Sequence, residues 1–187
     1  MAGSDEKQPS GLSRPEFVER HGLWTLAQKE RVQAVRDTIE RHRITSVRVV
    51  FADQHGIARG KTLTARNFLA ALERGHAVVS TLFAFDTSNH VAFPVFTGQG
   101  GLPLAGAGGS GDLLMVPDPE SFRVLPWVPA TAWVLCDLYL PDGAPVPLAP
   151  RYIYRRALEE LKRKGYGSMV GLEVEFYVMK TPEELGI

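Results

Sequence analysis

Residues 46–63 read SVRVVFADQHGIARGKTL. In the first seven, Val47, Val49 and Phe51 fall on alternate positions, the period of a half-buried strand. Asp53, Gln54, His55 and Gly56 supply turn residues, and IARGKTL returns as a second strand. The stretch is therefore a β-hairpin, and its neighbours decide what covers it. Upstream, TLAQKERVQAVRDTIERHR (25–43) places Leu26, Val32, Val35 and Ile39 at mostly three- and four-residue steps with charges between them. That predicts an amphipathic helix, with basic residues suiting its C-terminal dipole. Downstream, TARNFLAALERG (64–75) predicts a short helix with Thr64 as N-cap and Gly75 as stop. HAVVSTLFAF, LLMVPD and TAWVLCDLYL are each apolar enough for a strand. Hairpin, helix and further strands make an α+β plan, a small curved sheet packed on a helix.

Composition narrows the function classes. Lys plus Arg and Asp plus Glu number 21 each, so no global field draws the protein to nucleic acid or anionic lipid. No apolar run approaches the roughly 18–20 residues of a membrane-spanning helix. The opening, MAGSDEKQPSGLSRPE, is polar, lacks a signal-peptide core and predicts a disordered tail over residues 1–22. A lone cysteine, Cys136, excludes a disulfide within the chain, makes a reducing cytoplasm the default, and reads as inert core.

Residues 97–111, TGQGGLPLAGAGGSG, hold seven glycines in fifteen positions and predict a long flexible loop. Within it Gly106–Gly111 matches the dinucleotide fingerprint by letter, but no helix follows, so that reading is rejected. A proline-rich crossing at 141–150 marks a candidate boundary between domains at 25–145 and 146–187. Beyond it PRYIYRRALEELKRKG is a strong helix opened by Pro150 and stopped by Gly165.

Then comes GLEVEFYVMK, residues 171–180. As a strand it puts Val170, Leu172, Val174, Phe176 and Val178 on one face, and Glu173 and Glu175 together on the other. The carboxylates would stand roughly 7 Å apart along the backbone. Such a pair either faces solvent and pairs with cations across a sheet, or gathers a hard cation such as Mg²⁺ or Mn²⁺. Asp86, in FAFDTSNH, is equally two-sided: a turn residue accepting backbone N–H groups, or a functional carboxylate. His55 reads as a solvent-facing turn histidine. Arg59 and Lys61 either touch an anionic group or form a solvated strand edge.

In order and spacing, VRVVFADQHGIARGKTL, FAFDTSNH, DLLMVPDPESFRVLPWVPATAWVLCDLYLPDG and the helix-to-GLEVEFYVMK segment resemble the N-terminal part of the glutamine synthetase family, over about residues 45–180. The resemblance implies a β-grasp N-terminal domain, followed by the first helix and metal-ligand strand of a catalytic domain built between subunits of a homo-oligomeric ring. It implies ATP-dependent ligation of the glutamate γ-carboxylate to ammonia or an organic amine. Glu173 and Glu175 would each bind one of two divalent ions, and Asp86 would bind the ammonium and help remove its proton. The family's ammonia-using enzymes carry Asp-Gly-Ser-Ser where this chain has Asp86, Thr87, Ser88 and Asn89, so an organic amine stays open beside ammonia. Further metal ligands, ATP contacts and glutamate-binding arginines would lie beyond Ile187, so the 187-residue chain is expected to be truncated and inactive alone. The other reading is a non-catalytic β-grasp module that docks onto full-length ring subunits.

Overall fold

The computed structural model describes residues 15–92, 94–95, 111–181 and 184. It divides into two units, Met1–Tyr154 and Arg155–Ile187.

In the first unit β1 (Ser46–Ala52) and β2 (Ala58–Thr64) form the expected hairpin, with Val47 opposite Leu63 and Phe51 opposite Arg59. Helix α1 (Phe17–Arg20) and helix α2 (Leu26–Arg41) precede it. Helix α3 (Ala65–Arg74) follows, capped by Thr64, whose hydroxyl accepts the Asn67 N–H at 3.2 Å, and closed at Gly75 with φ of 70°. The remaining strands are β3 (His76–Val79), β4 (Asp112–Pro117), β5 (Arg123–Val124) and β6 (Thr131–Tyr139). Among the described residues six strands make one sheet in the order β2-β1-β6-β4-β3, with β5 beside β6. The pairings are antiparallel except β1 with β6, which run parallel at the centre.

The alternation in the hairpin sets which face is buried. Val47, Val49 and Phe51 point to one side, joined there by Leu63 of β2 and by Ala132 and Val134 of β6. Val35 and Ile39 of α2, and Phe68, Ala71 and Leu72 of α3, complete the same core. Phe68 and Leu72 are fully buried, and Phe68 stacks on Phe122 at 5.6 Å. Helix α2 starts with a capping box, Thr25 and Gln28 satisfying each other's backbone N–H. The Gln28 amide also donates to Asp118 at 3.0 Å. Asp118 and Asp137 both take Arg151, in the first turn of α4 (Pro150–Arg163), which ties that turn to the sheet.

Three expectations change. The disorder expected over residues 1–22 does not hold for Phe17–Arg20, a helix in which Phe17 and Val18 are buried against Val116, because this apolar pair finds a sheet surface to cover. Residues 1–14 lie outside the described residues, as do the glycine-rich loop and its fingerprint-like letters before Gly111. The strand expected over HAVVSTLFAF stops at Val79, and Ser80–Ala84 form a 3₁₀ turn. The ladder ends with Val79 opposite Asp112, and Ser80 N–H then donates to the Gly111 carbonyl at 3.0 Å as the chain enters the 3₁₀ turn.

In the second unit the remaining turns of α4 end at Gly165, φ 81°. Residues 166–181 form neither helix nor strand, so the metal-ligand strand expected there is not formed among the described residues. A strand exists only where a neighbour accepts and donates its backbone hydrogen bonds, and none among the described residues pairs with this segment. Its alternating apolar side chains are exposed, Leu172 at 91% and Val178 at 90%.

Gly60, in β2, permits the close approach of the hairpin strands. A Cβ there would lie 2.0 Å from the Val49 carbonyl oxygen. Gly60→Ala is expected to destabilise the protein by at least about 2 kcal/mol, the upper range for overpacking. Urea unfolding monitored by tryptophan fluorescence measures this; an unchanged midpoint would contradict the strand spacing.

Candidate functional site at the hairpin turn

Asp53 directly follows β1 and has no solvent exposure. One carboxylate oxygen accepts the backbone N–H of His55 and of Ile57, both at 2.9 Å, and the other accepts Arg59 Nε at 2.9 Å. Its backbone closes the same turn: Asp53 N–H donates to Ile57 and Gly56 N–H donates to Asp53. Burial by itself would raise the Asp53 pKa. The Arg59 side chain and the two N–H donors outweigh that and hold it below the ordinary 3.8.

The turn so formed grips a second one. Gln54 donates its amide to the carbonyls of Phe83 and Phe85, at 3.1 and 3.0 Å. His55 Nε2 lies 2.9 Å from the same Phe85 oxygen and 3.3 Å from Gln54 Nε2. Arg59 Nη2 donates to Asn89 Oδ1 at 2.6 Å, and its guanidinium lies 5.7 Å from the centre of the Phe85 ring.

Asp86 stands at the start of that second turn, half-buried. Its Oδ1 accepts the N–H of Ser88 at 2.8 Å and of His90 at 2.9 Å, and its backbone pairs with His90 and Asn89. Asn89 sits in the left-handed region, φ 60°, which asparagine tolerates. The turn reading of Asp86 is thus realised in geometry, yet Oδ2 receives no hydrogen bond among the described residues. The His90 N–H, opposed by burial, and then the Ser88 N–H hold its carboxyl below 3.8, helped by the nearby His90 and His55 rings. The arrangement is a fixed carboxylate, anionic at neutral pH, with one oxygen open to a cation or a proton.

Glu173 and Glu175 belong to the second unit and are exposed. Among the described residues no group of three or more His, Cys, Asp or Glu side chains is placed to hold a metal ion. Cys136 is buried, and burial and then Asp137 push its thiol far above its ordinary pKa, as inert core requires. Sequence reasoning read Asp53 only as a turn residue, Asn89 only as a departure from the family's loop, and left Arg59 open. The available signal was the spacing: an acid opening a turn, a glycine three residues on, and an arginine six residues on.

The Asp53 carboxylate links the site to stability. Its folded-state pKa is depressed, so the contribution is complete above the unfolded value, about 4, and is lost as pH falls through the folded one. Asp53→Asn is expected to cost roughly 3 kcal/mol at pH 7, as for a broken buried pair. The difference should shrink on acidification below pH 4. Urea titrations across pH 2–7 read both; parallel curves at every pH would contradict the ion pair.

No family model matches the chain. It is 36% identical over 180 residues to a γ-glutamylanilide synthase of Acinetobacter sp, covering 91% of this chain and 36% of that protein. It is 36% identical over 155 residues to a glutamate–isopropylamine ligase of Pseudomonas sp, covering 81% of this chain and 32% of that protein. A crystal structure described as a novel glutamine synthase homolog aligns with a TM-score of 0.52 at 25% identity, over 65% of this chain and 27% of that one. The chain spans about a third of the length of these curated relatives. Sequence order, sheet and hairpin agree with these matches, and the chain belongs to the glutamine synthetase family.

Proposed function

We propose that this chain contributes the amine-handling side of an ATP-dependent glutamate–amine ligase. The observation that carries this reading is Asp86, one oxygen held by two backbone N–H groups and the other open, on a turn fixed to the sheet. An anionic carboxylate with a free oxygen attracts an ammonium cation and accepts the proton it must lose before its nitrogen can attack. In the reaction the glutamate γ-carboxylate takes the γ-phosphoryl group of ATP, ADP leaves, and the amine nitrogen displaces phosphate from the acyl carbon. Asp86 would orient the amine and receive its proton.

The relatives' names, an anilide synthase and an isopropylamine ligase, favour an organic amine over ammonia. The sheet supports the β-grasp reading of the first unit: a β1–β2 hairpin, helix α3 beside it, and β1 parallel to β6 at the centre. Glu173 and Glu175 suit a hard divalent cation by donor chemistry, but two carboxylates fall short of the ~6 oxygen ligands that Mg²⁺ or Mn²⁺ takes. They do not complete a site by themselves, and we read them as the first donors of one. A bound divalent ion would neutralise phosphate charge during phosphoryl transfer. Assembly into a homo-oligomeric ring and a cytoplasmic location follow from the same family reading. None of the helices among the described residues is long and apolar enough to cross a membrane.

The native protein is expected to form γ-glutamyl amides from glutamate, ATP and a small organic amine, read by mass spectrometry with ADP release. Asp86→Asn should lower the rate by roughly 10²–10⁴, the range for a lost general base. The isolated 187-residue chain should show no turnover. An Asp86→Asn enzyme working at the parental rate with every amine, ammonia included, would overturn the assignment.

A further inference from the structure

The geometry points to Arg59 as a positioning residue, which sets the turn bearing Asp86 by bridging buried Asp53 and Asn89. The inference deepens the amine-ligase reading and rests on it for the role of Asp86.

Each end of the bridge is observed. Arg59 Nε meets Asp53 at 2.9 Å, and Nη2 meets Asn89 Oδ1 at 2.6 Å. The Arg59 side chain is 18% exposed, so the charge works in a partly dry setting where such hydrogen bonds are strong. Asp53 is immobilised by the hairpin's own N–H groups and gives the guanidinium a fixed anchor. The planar fork then has its orientation set before it reaches Asn89, which a lysine ammonium would not provide. Asn89 lies three residues after Asp86, and its own N–H donates to the Asp86 carbonyl at 3.1 Å. Holding the Asn89 side chain therefore holds the turn that presents Ser88 and His90 N–H groups to Asp86.

The anchor has an electrostatic consequence as well. An unpaired guanidinium beside the turn would oppose the capture of a cationic amine at Asp86. Asp53 neutralises it, so the bridge fixes the turn without adding net positive charge.

Amide-resolved hydrogen exchange on the full 187-residue chain tests this without amine or ATP. Asn89→Gly keeps the left-handed backbone and removes the Arg59 partner. It is expected to lower protection of the Ser88 and His90 amides by roughly tenfold, with amides of β1 and β6 unchanged. Asn89→Asp retains an acceptor for Arg59 and should restore protection. Arg59→Lys should resemble Asn89→Gly. Unchanged protection in Asn89→Gly, or no rescue by Asn89→Asp, would overturn the inference. Because the readout is independent of turnover, an amine-ligase reading that fails at Asp86→Asn leaves this result separately legible.

Discussion

A carboxylate that water does not reach must find its full set of donors in the protein, and Asp53 does so directly after β1. The requirement fixes more than a turn. Two of its donors are backbone groups of the hairpin loop, so satisfying the charge closes the loop. The third is Arg59, one strand further on, opposite Phe51. Through Arg59, Gln54 and His55 the closed hairpin then holds the chain from Phe83 to Asn89. The turn with Asp86 is in this way continuous with an interior strand of the sheet.

The sheet gives that chain of contacts something rigid to start from. β1 lies between its hairpin partner and the parallel strand β6, and its inward residues Val47, Val49 and Phe51 are covered by α2 and α3. Functional groups on loops need a scaffold whose own position is over-determined. Here the scaffold is the centre of the sheet, and the Asp53–Arg59 ion pair, partly dry and bonded on both sides, joins Gln54 and His55 in holding the second turn. The first turn of α4 is tied by similar chemistry, with Arg151 between Asp118 and Asp137.

Much of this was legible in the chain. The period-two run from Ser46, the glycine-bearing turn, the Thr64 cap and the Gly75 stop are local signals, and local physics decides them. What escaped depends on partners distant in sequence. Phe17 and Val18 form too short an apolar pair to show a period, and only the sheet they cover explains their burial. HAVVSTLFAF has strand propensity throughout, but after Val79 the chain leaves the β4 ladder for a 3₁₀ turn. GLEVEFYVMK alternates as a strand should, yet pairing requires a neighbour that its own letters do not contain. Arg59 looked like a solvated edge residue because the acid it meets lies across a turn and the asparagine it meets lies thirty positions on. The acid at position 86 showed both of its meanings in sequence; the structure realises the turn, with Oδ2 taking no hydrogen bond among the described residues.

The central claim is that Asp53 and Arg59 act as one unit. A double-mutant cycle with Asp53→Asn and Arg59→Met, read by urea unfolding at pH 7, measures their coupling directly. The account predicts a coupling energy of about 2 kcal/mol, within the range for contacting buried partners. A coupling below about 0.5 kcal/mol, the level of independent sites, would contradict it.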